Sequence, residues 1–482
     1  MSDWQPNPHD AVPLYRQVAA HCKSLIASGQ WPAGFRLPAQ RTLALQFGIN
    51  RSTLSIALSE LAADGLLSGR VGSGTYVAND SWALLKNPPP PDWQHYASSA
   101  VHHANHPTVQ QINRHEFQRG IIRLGTGELS PDLQPRAEMS RCLKKISQHL
   151  PPLGYEEPQG LFALRKAISH HLAKQGISAS PASILIVSGA LQAFQLISLG
   201  LLPPGADILL EQPSYLFSLT LFRSQFTRLT GLAMDKDGLL PAALTFQQSK
   251  SPASLLYTIP CFHNPTGITM SGPRRQEIAS LCRHYRLPIL EDDVYRDLWL
   301  DEAPPLPLKA ADRGGSILYL GSLSKTLSPG LRIGWLVGPE PVIERLADVK
   351  MQFDYGTSSL SQWAAHYWLH GDVYERHLTV LRSQLALRRA AALNALAKHF
   401  SRIAAWNTPS GGFYIWLTLH QPLSLSHLFH AALKEGILLN PGFLYDSCAN
   451  RQLRLSYSYA SVQELEDALK KLALLIQDLS AK

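Results

Sequence analysis

The chain has 482 residues, of which 45% are hydrophobic and 17% are charged, and its formal net charge is +8. This balance is typical of a globular protein of about two or three folding units, and it excludes disorder or coiled coil as the main state. No apolar run reaches the length of about 18 residues that a membrane span needs.

The cysteines and the N-terminal residues indicate the compartment. Five cysteines are widely spaced and form no CxxC pair, which argues against a disulfide framework or a zinc ribbon. Residues 1–10 are polar and have no apolar signal core. We therefore expect a cytoplasmic protein that has no metal site.

Residues 12–79 predict a small domain at the N-terminal end of the sequence. Apolar side chains between Tyr15 and Ile26 follow helical spacing, a second short helix is predicted over residues 39–47, and Asn50 is a suitable N-cap for a third. Short β-like runs at residues 66–70 and 75–78 flank a glycine-containing tip. Together they predict an α+β winged helix-turn-helix.

The charge of this segment has one sign. Between Ala11 and Ser59 there are five Lys or Arg residues and no Asp or Glu. Such a distribution indicates nucleic acid, although a solvated helical surface would look the same without a supporting motif.

Residues 80–117 are predicted to be a linker. Four consecutive prolines, Pro88 to Pro91, stiffen it, and no periodic pattern is sustained. His102, His103 and His106 cluster here, but no carboxylate or cysteine stands at ligand spacing, which favours a solvated linker over a metal site.

Residues 118–482 predict an α/β domain. Short apolar runs alternate with amphipathic helices, a pattern typical of a mainly parallel sheet covered by helices. The predicted strands are residues 184–187, 208–210, 255–259, 289–290 and 317–320.

The strongest chemical signal lies between Gly321 and Trp335. Lys325 follows a predicted strand, and a lysine amine at such a place can form a Schiff base with an aldehyde cofactor. Ser322, Ser324 and Arg332 supply hydroxyl and guanidinium donors that suit a phosphate dianion.

Four further motifs make the domain resemble the pyridoxal-phosphate (PLP) enzymes of the aspartate-aminotransferase fold, fold type I, which has a smaller C-terminal subdomain. Tyr155 matches the tyrosine that reaches the phosphate in the partner subunit's site. Ser188, Gly189 and Ala190 precede a helix N-terminus, where backbone N–H groups bind anions. Tyr215 stands where the family stacks an aromatic ring on the cofactor.

The remaining matches concern the reactive end of the cofactor. The resemblance implies that Asn264 and Tyr295 bind its phenolic oxygen, and that Asp292 keeps the pyridine nitrogen protonated, so that the ring acts as an electron sink. Arg454 matches the arginine that binds a substrate α-carboxylate. Two departures, His263 for the usual glutamine and Gln134 for the usual phenylalanine, leave the substrate open.

The small domain resembles the GntR-type DNA-binding domain over residues 12–79. The match rests on a series of short motifs that keep the family's spacing throughout, from Pro13-Leu-Tyr-x-Gln-Val to Gly72-Ser-Gly-Thr-Tyr-Val77. Ser55 stands where a basic residue is usual. The resemblance implies a recognition helix in the major groove. The implied DNA-binding residues are Arg41, Asn50, Arg51, Ser52, Thr53, Gly72 and Gly74.

The two domains together resemble the MocR-type bacterial regulators. This resemblance implies a homodimer that binds an operator in double-stranded DNA and senses an amine, an amino acid or PLP itself. The alternative is an active PLP-dependent aminotransferase with a DNA-binding appendage. The sequence leaves open whether the chain turns over substrate, which effector it binds, and whether it activates or represses.

Overall fold

The computed structural model describes residues 4–70, 74–78, 93–99, 104–148, 154–219 and 227–480. They divide into two compact units, one within Met1–Ala100 and the other within Val101–Lys482. In these described ranges no helix is long and apolar enough to cross a membrane.

The small unit contains three helices, α1 (Leu14–Ala27), α2 (Gln40–Gln46) and α3 (Arg51–Ala63). Apolar residues four positions apart lie on one helix face. On α1 that face, including Cys22 and Ile26, is fully buried against α2 and α3.

A helix cap and a hairpin complete this unit. Asn50 Oδ1 accepts a 2.7 Å hydrogen bond from Thr53 N and so satisfies one free donor at the start of α3. Strands β1 (Leu67–Arg70) and β2 (Gly74–Val77) pair antiparallel. The predicted winged helix-turn-helix is confirmed, while Gly72, which belongs to the predicted tip of the hairpin, lies outside the described residues.

Two helices, α4 (Trp93–Ser99) and α5 (Pro107–His115), lie within the range predicted as a linker. His106 is the N-cap residue of α5, and its Nδ1 accepts a 3.2 Å hydrogen bond from Thr108 N. Ile112 of the same helix is buried in a core of the large unit. These helices are too short to give a sustained periodic signal. Pro88 to Pro91, His102 and His103 lie outside the described residues.

The large unit alternates strands and helices as predicted. In chain order its elements are β3 (Ile122–Arg123), α6 (Arg136–Gln148), α7 (Phe162–Lys174), β4 (Ile184–Val187), α8 (Ala190–Gly200), β5 (Asp207–Gln212), β6 (Arg228–Asp235), β7 (Gly238–Leu239), α9 (Pro241–Lys250), β8 (Leu255–Thr258), α10 (Gly272–Tyr285), β9 (Ile289–Asp292), β10 (Ile317–Ser322), β11 (Gly334–Val337), α11 (Glu340–Met351), α12 (Ser359–Leu369), α13 (Val373–Phe400), β12 (Ala404–Trp406), β13 (Tyr414–Leu419), α14 (Leu425–Lys434), β14 (Ile437–Leu438), β15 (Asn440–Pro441), β16 (Gln452–Ser456) and α15 (Val462–Ser480).

Eight strands form the main sheet in the order β4-β11-β10-β9-β8-β5-β6-β7. The pairs from β10 to β6 are parallel, whereas β11 runs antiparallel to both of its neighbours and β7 is antiparallel to β6. The predicted mainly parallel sheet is confirmed.

Strand β4 shows why these strands read as continuous apolar runs. All four of its residues are buried, and successive side chains point to opposite faces. Leu185 and Val187 pack with α8 and α11, and Ile184 and Ile186 pack with α7 and α12. A sheet covered by helices on both faces leaves no polar side to its central strands.

The C-terminal part of the chain adds a smaller antiparallel sheet, in the order β12-β13-β16-β15, with α13, α14 and α15 packed against its core. Strand β14 pairs in parallel with β3, so the N-terminal segment of the large unit joins this subdomain. The predicted smaller C-terminal subdomain is confirmed.

Candidate functional site

A cavity of about 380 Å³ lies where strands β5, β8, β9 and β10 end. The carboxyl ends of parallel strands meet at one edge, which is where open α/β sheets bind ligands. The cavity brings together predicted site residues that are far apart in sequence: Ala190, Tyr215, Asn264, Asp292, Tyr295, Ser322, Ser324, Lys325, Arg332 and Arg454. A larger cavity of about 520 Å³ runs along α6 and contains none of them.

A candidate anion cradle lies at the start of α8. Gly189 has φ +87, and Arg332 Nη2 donates a 2.9 Å hydrogen bond to Ser188 O. A Cβ added at Gly189 would stand 2.5 Å from Arg332 Nη2. Glycine therefore lets the guanidinium approach a helix N-terminus. The guanidinium of Arg332 and the free backbone N–H groups at the start of α8 are thus close together, and both bind anions.

The loop after β10 is shaped by its own hydroxyls. Ser322 Oγ lies 3.0 Å from Ser324 Oγ and 3.1 Å from Ile333 O, and Ser324 N donates to Ser322 Oγ. Ser322 is buried. Its hydroxyl therefore fixes the loop.

Lys325 follows this loop and faces the N-terminal segment of the unit. Its Nζ donates a 2.7 Å hydrogen bond to Gly127 O and lies 6.0 Å from the centre of the Tyr295 ring. A backbone carbonyl is its partner, and no carboxylate among the described residues forms an ion pair with the amine.

Asp292 ends strand β9 and is buried. Its Oδ2 accepts a 2.8 Å hydrogen bond from the Tyr257 hydroxyl. Burial raises the pKa of Asp292 to about 6, since the low-dielectric interior disfavours the charged form. A cationic ring nitrogen beside it would compensate that charge.

Arg454 joins the two sheets of the unit. Its Nη1 donates a 2.8 Å hydrogen bond to Asn264 Oδ1, and its Nη2 donates a 2.6 Å hydrogen bond to Gly125 O. The guanidinium carbon lies 4.3 Å from the Tyr414 ring centre and 4.7 Å from that of Tyr445. Among the described residues its Nε has no hydrogen-bond partner.

Tyr414 is a site residue that the sequence analysis missed. Its hydroxyl lies 3.0 Å from that of Tyr295, and a Cβ added at Gly127 would meet it at 2.1 Å. The available signal was the run Gly411-Gly412-Phe413-Tyr414 before β13, because paired glycines mark a close approach of backbone.

His263 precedes Asn264 in the chain, and its ring lies close to Glu211. His263 Nε2 is 3.7 Å from Glu211 Oε2, and Glu211 accepts hydrogen bonds from the Thr258 hydroxyl and from Ile259 N. Burial raises the pKa of Glu211 to about 7 and lowers that of His263 to about 3. The imidazole is therefore neutral where the family commonly has a neutral glutamine.

Tyr155 lies apart from the cavity in the single chain. It is 82% exposed, and its ring centre is 4.9 Å from that of Tyr355. Its predicted contact with the partner subunit's site stays a prediction.

In the small unit, Arg41 and Arg51 are exposed at the starts of α2 and α3. Asn50 is occupied as a cap, since its Oδ1 also lies 2.9 Å from Ser52 Oγ. At the wing, Gly74 has φ +113.

Arg36 also lies at the wing, because a Cβ added at Gly74 would stand 3.3 Å from Arg36 Nε. Arg36 is therefore a wing cation that the sequence analysis did not single out. It is one of the five basic residues between Ala11 and Ser59, but the sequence analysis assigned it no role of its own.

Comparison with known families divides the chain in the same way. Residues 14–77 match the family described as bacterial regulatory proteins, gntR family, and residues 119–472 match aminotransferase class I and II. The uncharacterized HTH-type transcriptional regulator YisV of Bacillus subtilis (strain 168) is 52% identical, with 98% of each chain covered. The HTH-type transcriptional regulator NorG of Staphylococcus aureus (strain N315) is 35% identical, covering 91% of this chain and 98% of NorG.

Similar solved structures include aminotransferases. The kynurenine aminotransferase of Pyrococcus horikoshii, in a complex with PMP, has a TM-score of 0.76 and 29% identity, over 80% of this chain and 98% of its own. The multiple substrate aminotransferase of Thermococcus profundus also has a TM-score of 0.76, with 25% identity, over 81% of this chain and 99% of its own.

Proposed function

Because the chain belongs to the MocR-type family, in which a GntR-type winged helix-turn-helix is joined to an aminotransferase class I and II domain, we propose that it is a PLP-dependent transcription regulator. Its large unit senses an amino compound, or PLP itself, and its small unit binds operator DNA. The observation that carries the proposal is the presence of both units, each with its characteristic residues, in one chain.

The residues present fit PLP as the cofactor. The cradle of Gly189 and Arg332 would hold the phosphate, and Lys325 stands where it would bind the aldehyde carbon. Asp292 is buried and would pair with the ring nitrogen. PLP supplies an electron sink for amino compounds once bound.

The other side chains hold and orient the ligands. Asn264 and Tyr295 would bind the phenolic oxygen, and Tyr215 lines the same cavity, where it would stack on the ring. Arg454 would take the effector's carboxylate, since its guanidinium is buried and its Nε is free of a described partner. Tyr414 fixes both Tyr295 and Arg454, through the hydroxyl pair and the stacked guanidinium.

The small unit would bind DNA through the start of α3. Arg51 is exposed at its first position and is suited to a guanine edge in the major groove. Arg41, together with Ser52, Thr53, Gly72 and Gly74, would contact phosphates and position the unit. Asn50 supports this role by holding the first turn of α3 in place.

We infer a homodimer that acts in the cytoplasm, where the chromosome is. Tyr155 and Tyr355 support it, because they form an aromatic pair that is 82% and 57% exposed on the single chain. Aromatic residues exposed to this degree are typical of surfaces that a partner covers. In the dimer, Tyr155 would complete the phosphate site of the partner subunit.

Regulation would follow from a shift between dimer states. If two states differ in effector affinity, binding shifts their populations, and residues 80–117 would pass this shift to the recognition helices. A 100-fold preference for one state supplies about 2.7 kcal/mol, which is enough to retune operator binding.

The second candidate is an active aminotransferase. Lys325, Asp292 and Arg454 all lie in one cavity, so the chemistry is available. The two candidates separate when operator binding and turnover are measured on the same PLP-loaded preparation. We expect specific DNA binding, and transamination far below the ~10 per second that is typical of enzymes. Turnover near that rate, without specific DNA binding, would favour the enzyme.

A further inference from the structure

Two carboxylates line the cavity and have no part in holding PLP. Glu116 follows the last residue of α5, and Glu128 lies five residues beyond β3 and one beyond Gly127, the partner of Lys325. Neither carboxylate forms an ion pair with any described residue. Both belong to the N-terminal segment of the large unit, which lines the cavity and contacts Arg454 through Gly125 O.

The two carboxylates are close enough to interact. Burial raises the pKa of Glu116, the charge of Arg123 opposes this rise, and the charge of Glu128 adds to it. The Arg123 guanidinium stacks on Tyr459, 4.2 Å from the ring centre, and Arg123 does not line the cavity. Two carboxylates and one guanidinium leave one negative charge facing the cavity.

A second observation indicates a ligand in the same place. The Thr126 hydroxyl belongs to a residue that lines the cavity, is only 8% exposed, and has no hydrogen-bond partner among the described residues. Arg454 is 6% exposed, and its Nε also has no hydrogen-bond partner among the described residues. Buried polar groups are normally paired, so unpaired ones that line a cavity are suited to a ligand's polar atoms.

We propose that the effector is an amino acid with a second, distal ammonium group, a diamino acid, which Glu116 and Glu128 bind while Arg454 binds its carboxylate. This rests on the proposed function, since it assigns the effector of that same site. Once PLP and the effector's carboxylate have taken their partners, the remaining charge of the cavity is negative. A distal ammonium is attracted there, whereas a distal carboxylate is repelled.

The test is titration calorimetry of the PLP-loaded, full-length protein with matched pairs of amino acids. L-Lysine, L-ornithine and L-2,4-diaminobutyrate are each compared with the uncharged analogue that lacks the terminal amine: L-norleucine, L-norvaline and L-2-aminobutyrate. We expect at least one diamino acid to bind tenfold or more tightly than its analogue, and L-2-aminoadipate to bind more weakly than L-norleucine.

Variants test whether Glu116 and Glu128 cause the preference for a diamino acid over its uncharged analogue. In Glu116→Gln/Glu128→Gln the preference should fall to within about twofold, while the visible absorbance of bound PLP is unchanged. Glu302→Gln, an exposed residue outside the cavity, should keep the wild-type preference. Glu128→Lys should move the preference toward L-2-aminoadipate.

The inference is overturned if no diamino acid binds more tightly than its uncharged analogue, or if the double variant keeps the preference. Either result leaves the proposed function standing as long as the protein still binds its operator specifically. Loss of operator specificity in the same preparation would contradict the proposed function instead.

Discussion

Arg454 Nη1 donates a 2.8 Å hydrogen bond to Asn264 Oδ1, although 190 positions separate the two residues in the chain. Arg454 belongs to the small antiparallel sheet, and Asn264 belongs to the loop after strand β8 of the large one. A carboxylate bound to Arg454 and a cofactor bound to Asn264 would therefore act on the same hydrogen bond. Under the proposed function, this link would give the C-terminal subdomain a direct means to respond to the effector.

Replacement of Asp292 should separate stability from cofactor binding. Without PLP, burial raises the pKa of Asp292 to about 6, whereas in the unfolded chain it is near its ordinary value of about 3.9. The folded state thus keeps a proton that the unfolded state has lost, and stability falls as the pH rises between these values.

We expect apo Asp292→Asn to be more stable than the wild type at pH 8, by on the order of 2–3 kcal/mol, and no more stable below about pH 4. Its PLP affinity should fall, because an amide cannot neutralise a protonated ring nitrogen. Urea unfolding at several pH values measures the first effect, and Asp478→Asn, an exposed residue of α15, is the control. A constant difference between variant and wild type across this pH range would contradict the assignment.

Gly189→Ala should damage the phosphate cradle. The φ of +87 is unfavourable for any side chain, and the new Cβ would stand 2.5 Å from Arg332 Nη2. With ψ at 167 as well, this backbone conformation is essentially limited to glycine, and the strain costs about 1–3 kcal/mol, so we expect PLP affinity to fall at least tenfold, as measured by equilibrium dialysis. Gly371→Ala is the matched control, because Gly371 also has a positive φ of +83, its Cβ meets nothing within 4 Å, and it does not line the cavity. Equal PLP affinity in both variants would rule out the cradle.

Arg51 and Arg41 should differ in what they contribute to DNA binding. Loss of a guanine contact in Arg51→Ala should cost about 1–3 kcal/mol and relax sequence preference at one base pair. Arg41→Ala should weaken all sequences alike and lower the salt slope by about one. Binding of operator variants at several salt concentrations separates the two effects, with Arg313→Ala, exposed in the large unit, as the control. If Arg51→Ala weakens every duplex equally, Arg51 does not read a base.

Mixed dimers test whether Tyr155 acts in the partner subunit. A Tyr155→Ala chain paired with a Lys325→Ala chain should form one complete site, which combines the lysine of the first chain with the tyrosine of the second. We expect one PLP per dimer bound with wild-type affinity, measured on heterodimers purified through two tags. A heterodimer with no wild-type site would show that Tyr155 acts within its own chain.

The sequence predicted the parts of the fold that periodicity and motifs encode. Apolar runs such as residues 317–320 became central strands because both faces of the sheet are covered, and Lys325 follows directly. The pairing of strands was not encoded locally. Strand β11 (Gly334–Val337) runs antiparallel between β4 and β10, a choice that depends on the whole sheet.

The residues missed at the site share one physical reason. Tyr414 and Glu116 reach the cavity from elements far from the motifs, and only tertiary packing brings them there. Gly127 accepts from Lys325 through its backbone carbonyl, which any residue type carries. In contrast, motif residues such as Asn264 and Asp292 carry their function in the side chain and stand at fixed distances from strand ends.

The most direct test of the account measures fluorescence anisotropy on the DNA just upstream of the gene, against a scrambled duplex, at fixed physiological salt. The PLP-loaded wild type and Lys325→Ala are compared with and without the diamino acid that binds most tightly, and Lys236→Ala, exposed and outside the cavity, is the control. We predict specific binding that the amino acid changes in the wild type and the control but not in Lys325→Ala. Equal binding to both duplexes would contradict the account. So would a change in DNA binding by Lys325→Ala, on addition of the amino acid, that equals the change in the wild type.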